Sequence, residues 1–293
     1  MPEGKIIKAL SGFYYVLDGH QIIQCRGRGV FRKNKITPLV GDSVVYQAEN
    51  EREGYIMEVY ERKNELIRPP IANVDQAILV FSAKEPDFSS ILLDRFLVII
   101  ESNEINPIIC ITKMDLLTDE ERLKLSDFVN DYRKIGYEIT LSSSKTEEGL
   151  DKLLPHIKGK ISVFAGQSGV GKSSLLNAIK PDLELKTSHI SSHLGRGKHT
   201  TRHVELIDIE NGLVADTPGF SALEFDTLEA EYLSNCFPEM AALRNDCKFR
   251  GCLHLNEPKC AVKDAVANEE IPRYRYDHYL QFLQEIKDRK PRY

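Results

Sequence analysis

Residues 166–173 read Gly-Gln-Ser-Gly-Val-Gly-Lys-Ser, and they match the phosphate-loop pattern GxxxxGK[ST] in full. The chemistry that needs this spacing is the cradling of a polyphosphate. Glycines at Gly166, Gly169 and Gly171 let the backbone curl, so that the N–H groups of Gln167, Ser168 and Val170 also point inward. A helix opening at Lys172, with Ser174 in its first turn, adds the partial positive charge of its N-terminus. Lys172 reaches the β- and γ-phosphates, and the Ser173 hydroxyl ligates Mg²⁺.

Three other short stretches complement that loop. Thr112-Lys113-Met114-Asp115 follows an apolar run. One carboxylate offers adjacent acceptors to the N1–H and 2-amino donors of guanine, whereas adenine would leave Asp115 unpaired. Lys113 can lay its stem along the plane of the base. Ser143-Ser144-Lys145 can supply a backbone N–H to the guanine carbonyl. Asp216-Thr217-Pro218-Gly219 suits a second phosphate-side element, with Asp216 holding Mg²⁺ through water and the Gly219 N–H sensing the γ-phosphate. Taken singly, the last three are common turns; in one chain with a phosphate loop they describe a guanine-nucleotide site.

A separate constellation is Cys247-x4-Cys252-x-His254-x5-Cys260. Three thiolates and one imidazole so closely spaced suit tetrahedral Zn²⁺, and four protein ligands make the site structural. Cys25 and Cys110 sit singly in apolar segments and read as buried small hydrophobes.

These residues need elements to place them. Five short strands punctuated by Gly12, Asp18-Gly19, Gly41-Asp42 and Gly54 fill the first 65 residues and predict a small closed barrel of the oligonucleotide-binding (OB) type. Residues 68–75 read as the linker out of it. From Val74, strand and helix alternate, predicting a mostly parallel sheet covered by helices. Asn211-Gly212 reads as the turn of a hairpin, and the chain after Phe225 reads as helical around the Cys/His cluster. The expected domains are 1–67, 68–225 and 226–293.

The length of 293 residues, 42% hydrophobic and 28% charged, is that of a globular multidomain protein. No apolar run is long enough to span a bilayer and no signal peptide opens the chain, so the expected location is the cytoplasm, with no membrane partner. A net charge of −5 speaks weakly against nucleic acid, but charge acts by patch. Residues 19–41 hold no acid and carry Arg26, Arg28, Arg32, Lys33 and Lys35. Residues 187–204 hold no acid either, and the tail after Ile286 is basic.

The motif order is base, base, phosphate loop, switch I, switch II. That order resembles the circularly permuted GTPases. With a small barrel in front and a Cys/His site behind, the whole chain resembles the family of small-ribosomal-subunit-dependent GTPases, RsgA (also called YjeQ or YloQ). The resemblance implies a multidomain α/β protein: an OB-type β-barrel, a circularly permuted P-loop GTPase domain and a zinc-binding helical domain. It implies GTP/GDP with Mg²⁺ and one structural Zn²⁺ as cofactors. It also implies a monomer acting in late maturation of the small (30S) subunit, with contacts to its rRNA.

Two departures bear on chemistry. Thr112 stands where most GTPases have Asn, which predicts weaker guanine affinity. Phe220 stands where a Ras-type glutamine would position water, which predicts slow intrinsic hydrolysis. In the expected switch I, residues 195–204, Thr201 is the Mg²⁺ and γ-phosphate ligand, with Thr200 the alternate. His199 either orients water or stabilises charge, or else touches RNA; Lys172, His199 and Thr201 are the catalytic candidates. The rival readings are a P-loop ATPase or small-molecule kinase, which Asp115 opposes, and a non-catalytic GTP-bound RNA-binding scaffold.

Overall fold

A computed structural model describes residues 1–29, 31, 36–67, 69–146, 148–183, 204–216 and 224–289. The first strands are β1 (Glu3–Leu10), β2 (Phe13–Asp18), β3 (Gln21–Gly27), β4 (Ser43–Ala48) and β5 (Gly54–Val59). β1 pairs with β2, β2 with β3, β3 in parallel with β5, β5 with β4, and β4 back onto β1. The ladder therefore closes as the five-stranded OB barrel expected from the strand count. Alternation explains the closure: Val16, Ile23, Cys25, Val44 and Ile56 point inward and are buried, with polar or half-exposed neighbours between them. Of the basic residues in the acid-free segment, Arg26 lies on β3 and Arg28 just after it, while Arg32, Lys33 and Lys35 lie outside the described residues.

The stretch expected as a linker is packed instead. β6 (Glu65–Leu66) and β7 (Ile71–Ala72) form a small hairpin, and Ile71, Ala72 and Val74 are fully buried. Three apolar side chains in this stretch favour burial over an exposed tether.

The central sheet is built from β8 (Gln76–Ser82), β9 (Asn106–Thr112), β10 (Glu138–Leu141), β11 (Ile161–Ala165), β12 (Glu205–Ile209) and β13 (Gly212–Asp216). Its order is β10-β9-β8-β11-β13-β12, all parallel except β12. Every residue of β8 is buried, as a strand covered on both faces requires. The covering helices are α1 (Ser90–Glu101), α2 (Asp119–Ile135), α3 (Leu150–Ile157) and α4 (Lys172–Ile179). Ser89 caps α1, and a Thr118–Glu121 capping box opens α2, which Gly136 ends in the left-handed region.

The β12–β13 turn falls one residue earlier than expected. Glu210 and Asn211 take positive φ, and Gly212 already pairs with Ile209. Gly212 serves a close approach instead: a Cβ there would lie 2.1 Å from the Ile157 carbonyl oxygen at the end of α3.

The C-terminal region contains α5 (Pro238–Ala241), α6 (Ala261–Ala267) and α7 (Arg273–Asp288), packed around Phe237, Met240, Tyr279, Phe282 and Leu283. It lies against α1 and α2 through buried polar contacts. Asp94 on α1 accepts hydrogen bonds from Tyr132 Oη and Arg275 Nη1 at 2.5 Å each and pairs with His278 Nδ1 at 2.6 Å. Glu239 holds the other edge of the Arg275 guanidinium at 2.7 and 3.0 Å. No helix among the described residues is long and apolar enough to cross a membrane.

Candidate nucleotide and metal sites

The strand order brings the expected nucleotide motifs to one edge. β9, β10, β11 and β13 run parallel, and the 112–115, 143–145, 166–171 and 216 positions all follow or end their C-terminal tips. Ligands of open α/β sheets bind at that edge.

The phosphate loop has the backbone its glycines imply. Gly166, Gly169 and Gly171 sit at φ +147°, +83° and +96°. At Gly166 a Cβ would fall 2.1 Å from the Val80 carbonyl oxygen, so both conformation and proximity require glycine. Gly171 caps α4 through backbone alone, with no side-chain cap, which leaves its first-turn N–H groups facing the loop. Lys172 Nζ folds back onto the carbonyls of Gly166 and Gln167, at 2.8 and 2.6 Å. Burial holds its pKa below the usual lysine value. Ser173 and Ser174 are half-buried in the same turn.

At the neighbouring strand ends, Asp115 is held by the Ser143 hydroxyl, which donates to Oδ1 at 2.6 Å. Ser143 is fully buried, and its oxygen accepts from the Lys145 and Thr146 N–H groups at 3.3 and 3.2 Å. One hydroxyl therefore fixes both the carboxylate and the loop that carries Ser144. Met114 is buried; its N–H donates to the Ser142 carbonyl, and its own carbonyl accepts from Arg122. Lys113 adopts φ +58°, and its ammonium donates to the Glu85 carbonyl.

Thr112 is 1% exposed and turned toward the phosphate loop. Its hydroxyl donates to the Val170 carbonyl at 2.5 Å, with the Phe81 carbonyl at 3.2 Å. It thus ties the end of β9 to the phosphate loop. Neither this tie nor the side-chain role of Ser143 was read from the sequence, where Ser143 stood only as a member of a backbone-donor loop. A small hydroxyl residue at a strand end was the available signal.

Asp216 ends β13. His199, Thr200, Thr201, Gly219 and Phe220 lie outside the described residues.

The second site lies in the C-terminal region. The ligand atoms of Cys247, Cys252, His254 and Cys260 lie within 4.8 Å of one another. Cys247 Sγ is 3.9 Å from Cys260 Sγ and 3.7 Å from His254 Nδ1, and His254 Nδ1 is 3.2 Å from Cys260 Sγ. A tetrahedron with Zn–S bonds of about 2.3 Å has edges of about 3.8 Å, so the four donors fit that ion. Desolvation raises the Cys260 thiol to about 12 and raises Cys252 as well, so a cation is what would stabilise thiolates there. Tyr276 Oη and Tyr279 Oη donate to the His254 and Leu253 carbonyls, and Glu257 accepts from the Leu253 and Leu255 N–H groups. The loop is therefore fastened to α7 independently of any ion.

Comparison with known proteins gives a consistent picture. Residues 59–226 match the RsgA GTPase family model, and residues 3–56 match the RsgA N-terminal domain model. Proteins described as small ribosomal subunit biogenesis GTPase RsgA are similar over all of both chains, at 68% identity in Bacillus pumilus and 66% in Bacillus subtilis. The solved structure of YloQ, described as a circularly permuted GTPase, is 62% identical with a TM-score of 0.88, covering 100% of this chain and 97% of that one. YjeQ from Thermotoga maritima is 39% identical with a TM-score of 0.89, covering 99% of each chain.

Proposed function

The chain belongs to the RsgA GTPase family, hydrolases acting on GTP, and from that premise we propose how its parts divide the work. The protein hydrolyses GTP to GDP and phosphate, slowly alone and faster on the small ribosomal subunit, in whose late maturation it acts. The relatives' description as small ribosomal subunit biogenesis GTPases supports that partner. The observation that carries the nucleotide reading is the convergence of Asp115, held by Ser143, with the phosphate loop, held by Thr112, on one sheet edge.

In this reading Asp115, Lys113 and residues 143–145 take guanine. Residues 166–171 and Lys172 take the phosphates. Ser173, Thr201 and, through water, Asp216 hold Mg²⁺, which neutralises charge that develops on the transferred phosphoryl group. Lys172 leaves its loop carbonyls for the phosphate oxygens, an exchange of neutral partners for charged ones. His199 is the group that orients water or stabilises charge during turnover stimulated by the partner.

One structural Zn²⁺ sits on Cys247, Cys252, His254 and Cys260. Residues 1–67 form the barrel, 68–225 the GTPase domain and 226–293 the zinc-binding domain; the barrel and the zinc domain contact rRNA. The protein is a cytoplasmic monomer. Switch II leads directly toward Phe225, whose ring packs at a tilt against Phe282 of α7 with centroids 5.2 Å apart and whose carbonyl accepts from Arg289. A change at the γ-phosphate thus reaches the zinc domain through one covalent segment.

The test is phosphate release by purified protein, from GTP and from ATP, with and without small subunits. We expect slow GTP turnover alone, stimulation by subunits, and little turnover of ATP. Equal rates with and without subunits would remove the ribosome from the mechanism.

A further inference from the structure

The barrel presents a solvent-facing row that the nucleotide chemistry does not use. Across its ladders Phe13 pairs with Arg26, Arg26 with Tyr55, and Tyr55 with Gln47. Their strand neighbours Cys25, Ile56 and Tyr46 are buried, so alternation puts these four on the outer face. Tyr55 is 52% exposed, unusual for a large aromatic side chain on a strand. The Arg26 guanidinium lies 4.9 Å from the centre of the Phe13 ring. Beside Tyr55 a depression of about 400 Å³ is lined by Gly27, Arg28, Gly29, Gln47, Tyr55 and Met57. Among the described residues a side chain at Gly29 would meet nothing within 4 Å, and one at Gly27 would make only ordinary contacts. The protein's own packing therefore does not require both glycines; they keep the floor open around Arg28.

The acidic side chains of this face lie outside the depression. Glu49, Glu51 and Glu53 occupy the β4–β5 turn, and the Glu51 carbonyl accepts from the Gln24 N–H on β3. Arg26 and Arg28 follow Gln24 at and just past the C-terminal end of β3, where the acid-free segment 19–41 continues. Glu58 lies beyond Met57, beside Tyr60, and does not line the depression. An exposed ring beside Arg26 and Arg28, with no acidic side chain lining the depression, fits an anionic polymer with flat faces. Aromatic platforms beside basic grooves are how OB barrels hold single strands.

We propose that this face binds an unpaired stretch of RNA, with one base stacked on Tyr55 in the depression, Gln47 at its edge, and the flanking phosphates on Arg26 and Arg28. This rests on the reading that the barrel contacts rRNA, and it specifies what is contacted: a single-stranded segment, because a duplex keeps its bases stacked on one another.

The test uses the full chain and fluorescence anisotropy with a 12-nucleotide unstructured pyrimidine-rich RNA, and the same sequence as a duplex competitor. Tyr55→Ala should weaken binding roughly 5- to 150-fold, the range for loss of one base–aromatic stack. Tyr55→Phe, which keeps the ring, should bind within about twofold of the parent. Arg26→Ala should flatten the dependence of log Kd on log salt by about 0.7, one phosphate contact to a single strand. GTP affinity should be unchanged in all three.

Parent-like binding by Tyr55→Ala, competition by duplex as effective as by single strand, or no binding by the parent would each overturn the proposal. The result is separable from that of the preceding section. Failure of small subunits to stimulate the parent's turnover strikes the ribosomal reading, while the oligonucleotide measurement reads the platform alone.

Discussion

Two cations in this protein, one half-buried and one fully buried, are treated in opposite ways. Among the described residues Lys172 leans on the neutral carbonyls of Gly166 and Gln167, and burial pulls its pKa down. Arg275 is fully buried. There too burial acts to lower the pKa, but Asp94 and Glu239 outweigh it and hold the guanidinium above its ordinary value. Arg275 also lies over the rings of Phe237 and Tyr132, at 4.7 and 5.3 Å from their centres. One site leaves a charge matched only by dipoles, so an anionic ligand improves it. The other matches its charge from within, so nothing needs to bind. A ligand site and a structural clamp are told apart here by where the compensating charge comes from.

The largest expected effect breaks the clamp. Arg275→Met keeps much of the side-chain volume but takes the buried cation from Glu239 and leaves Asp94 with Tyr132 and His278 alone. Loss of one member of a buried ion network costs about 3–5 kcal/mol. Denaturant unfolding should show that loss, while GTP affinity in the folded protein should stay near the parent's. Stability equal to the parent's would mean that the network is neutral and that the apolar contacts of α7 alone dock the C-terminal region.

The mirror experiment is Lys172→Ala. Lys172 has no acidic partner to strand among the described residues, so stability should change little. Turnover should fall on the order of 10²–10³-fold, as when one preorganised charge-stabilising donor is removed. Single-turnover phosphate release and thermal unfolding on the same preparation separate the two outcomes. A variant that loses stability but keeps its rate would reverse the contrast between the two cations.

The two regions also differed in how openly the sequence announced them. The phosphate loop is contiguous, and each of its residue types answers to a local demand, such as positive φ at Gly166, Gly169 and Gly171. The Cys/His cluster spans only fourteen residues. Both could be read from spacing, as could the barrel from its strand count. The clamp joins Asp94, Tyr132, Glu239, Arg275 and His278, which only the tertiary fold brings together. Its one local sign was an aspartate inside the apolar run of α1, on the face that α1 buries. The packed 71–74 segment was misread because Pro69-Pro70 spoke for a tether more loudly than three apolar residues spoke for burial.

Thr112 stands between the two regimes, and the smallest expected effect concerns it. Its side chain is buried like a structural residue, yet its bond reaches the ligand loop. In the sequence it stood as a weaker substitute for an asparagine at the base. In the structure its hydroxyl proton is directed to the Val170 carbonyl. Thr112→Val preserves shape and removes that donor, leaving Val170 with one partner fewer. A neutral hydrogen bond contributes about 0.5–1.5 kcal/mol, which corresponds to roughly two- to twelvefold in nucleotide affinity if the tie positions the loop. The loss should be the same for GTP and GDP, because the contact is to the loop backbone and not to the γ-phosphate. Thr112→Ser should restore affinity, since the hydroxyl returns without the methyl. Calorimetric titration of the three proteins with each nucleotide measures this directly. Unchanged affinity in Thr112→Val would show that the phosphate loop holds its shape without β9, and that the hydroxyl serves stability alone. A loss confined to GTP would place its influence at the γ-phosphate, beyond the reach of a tie to Val170.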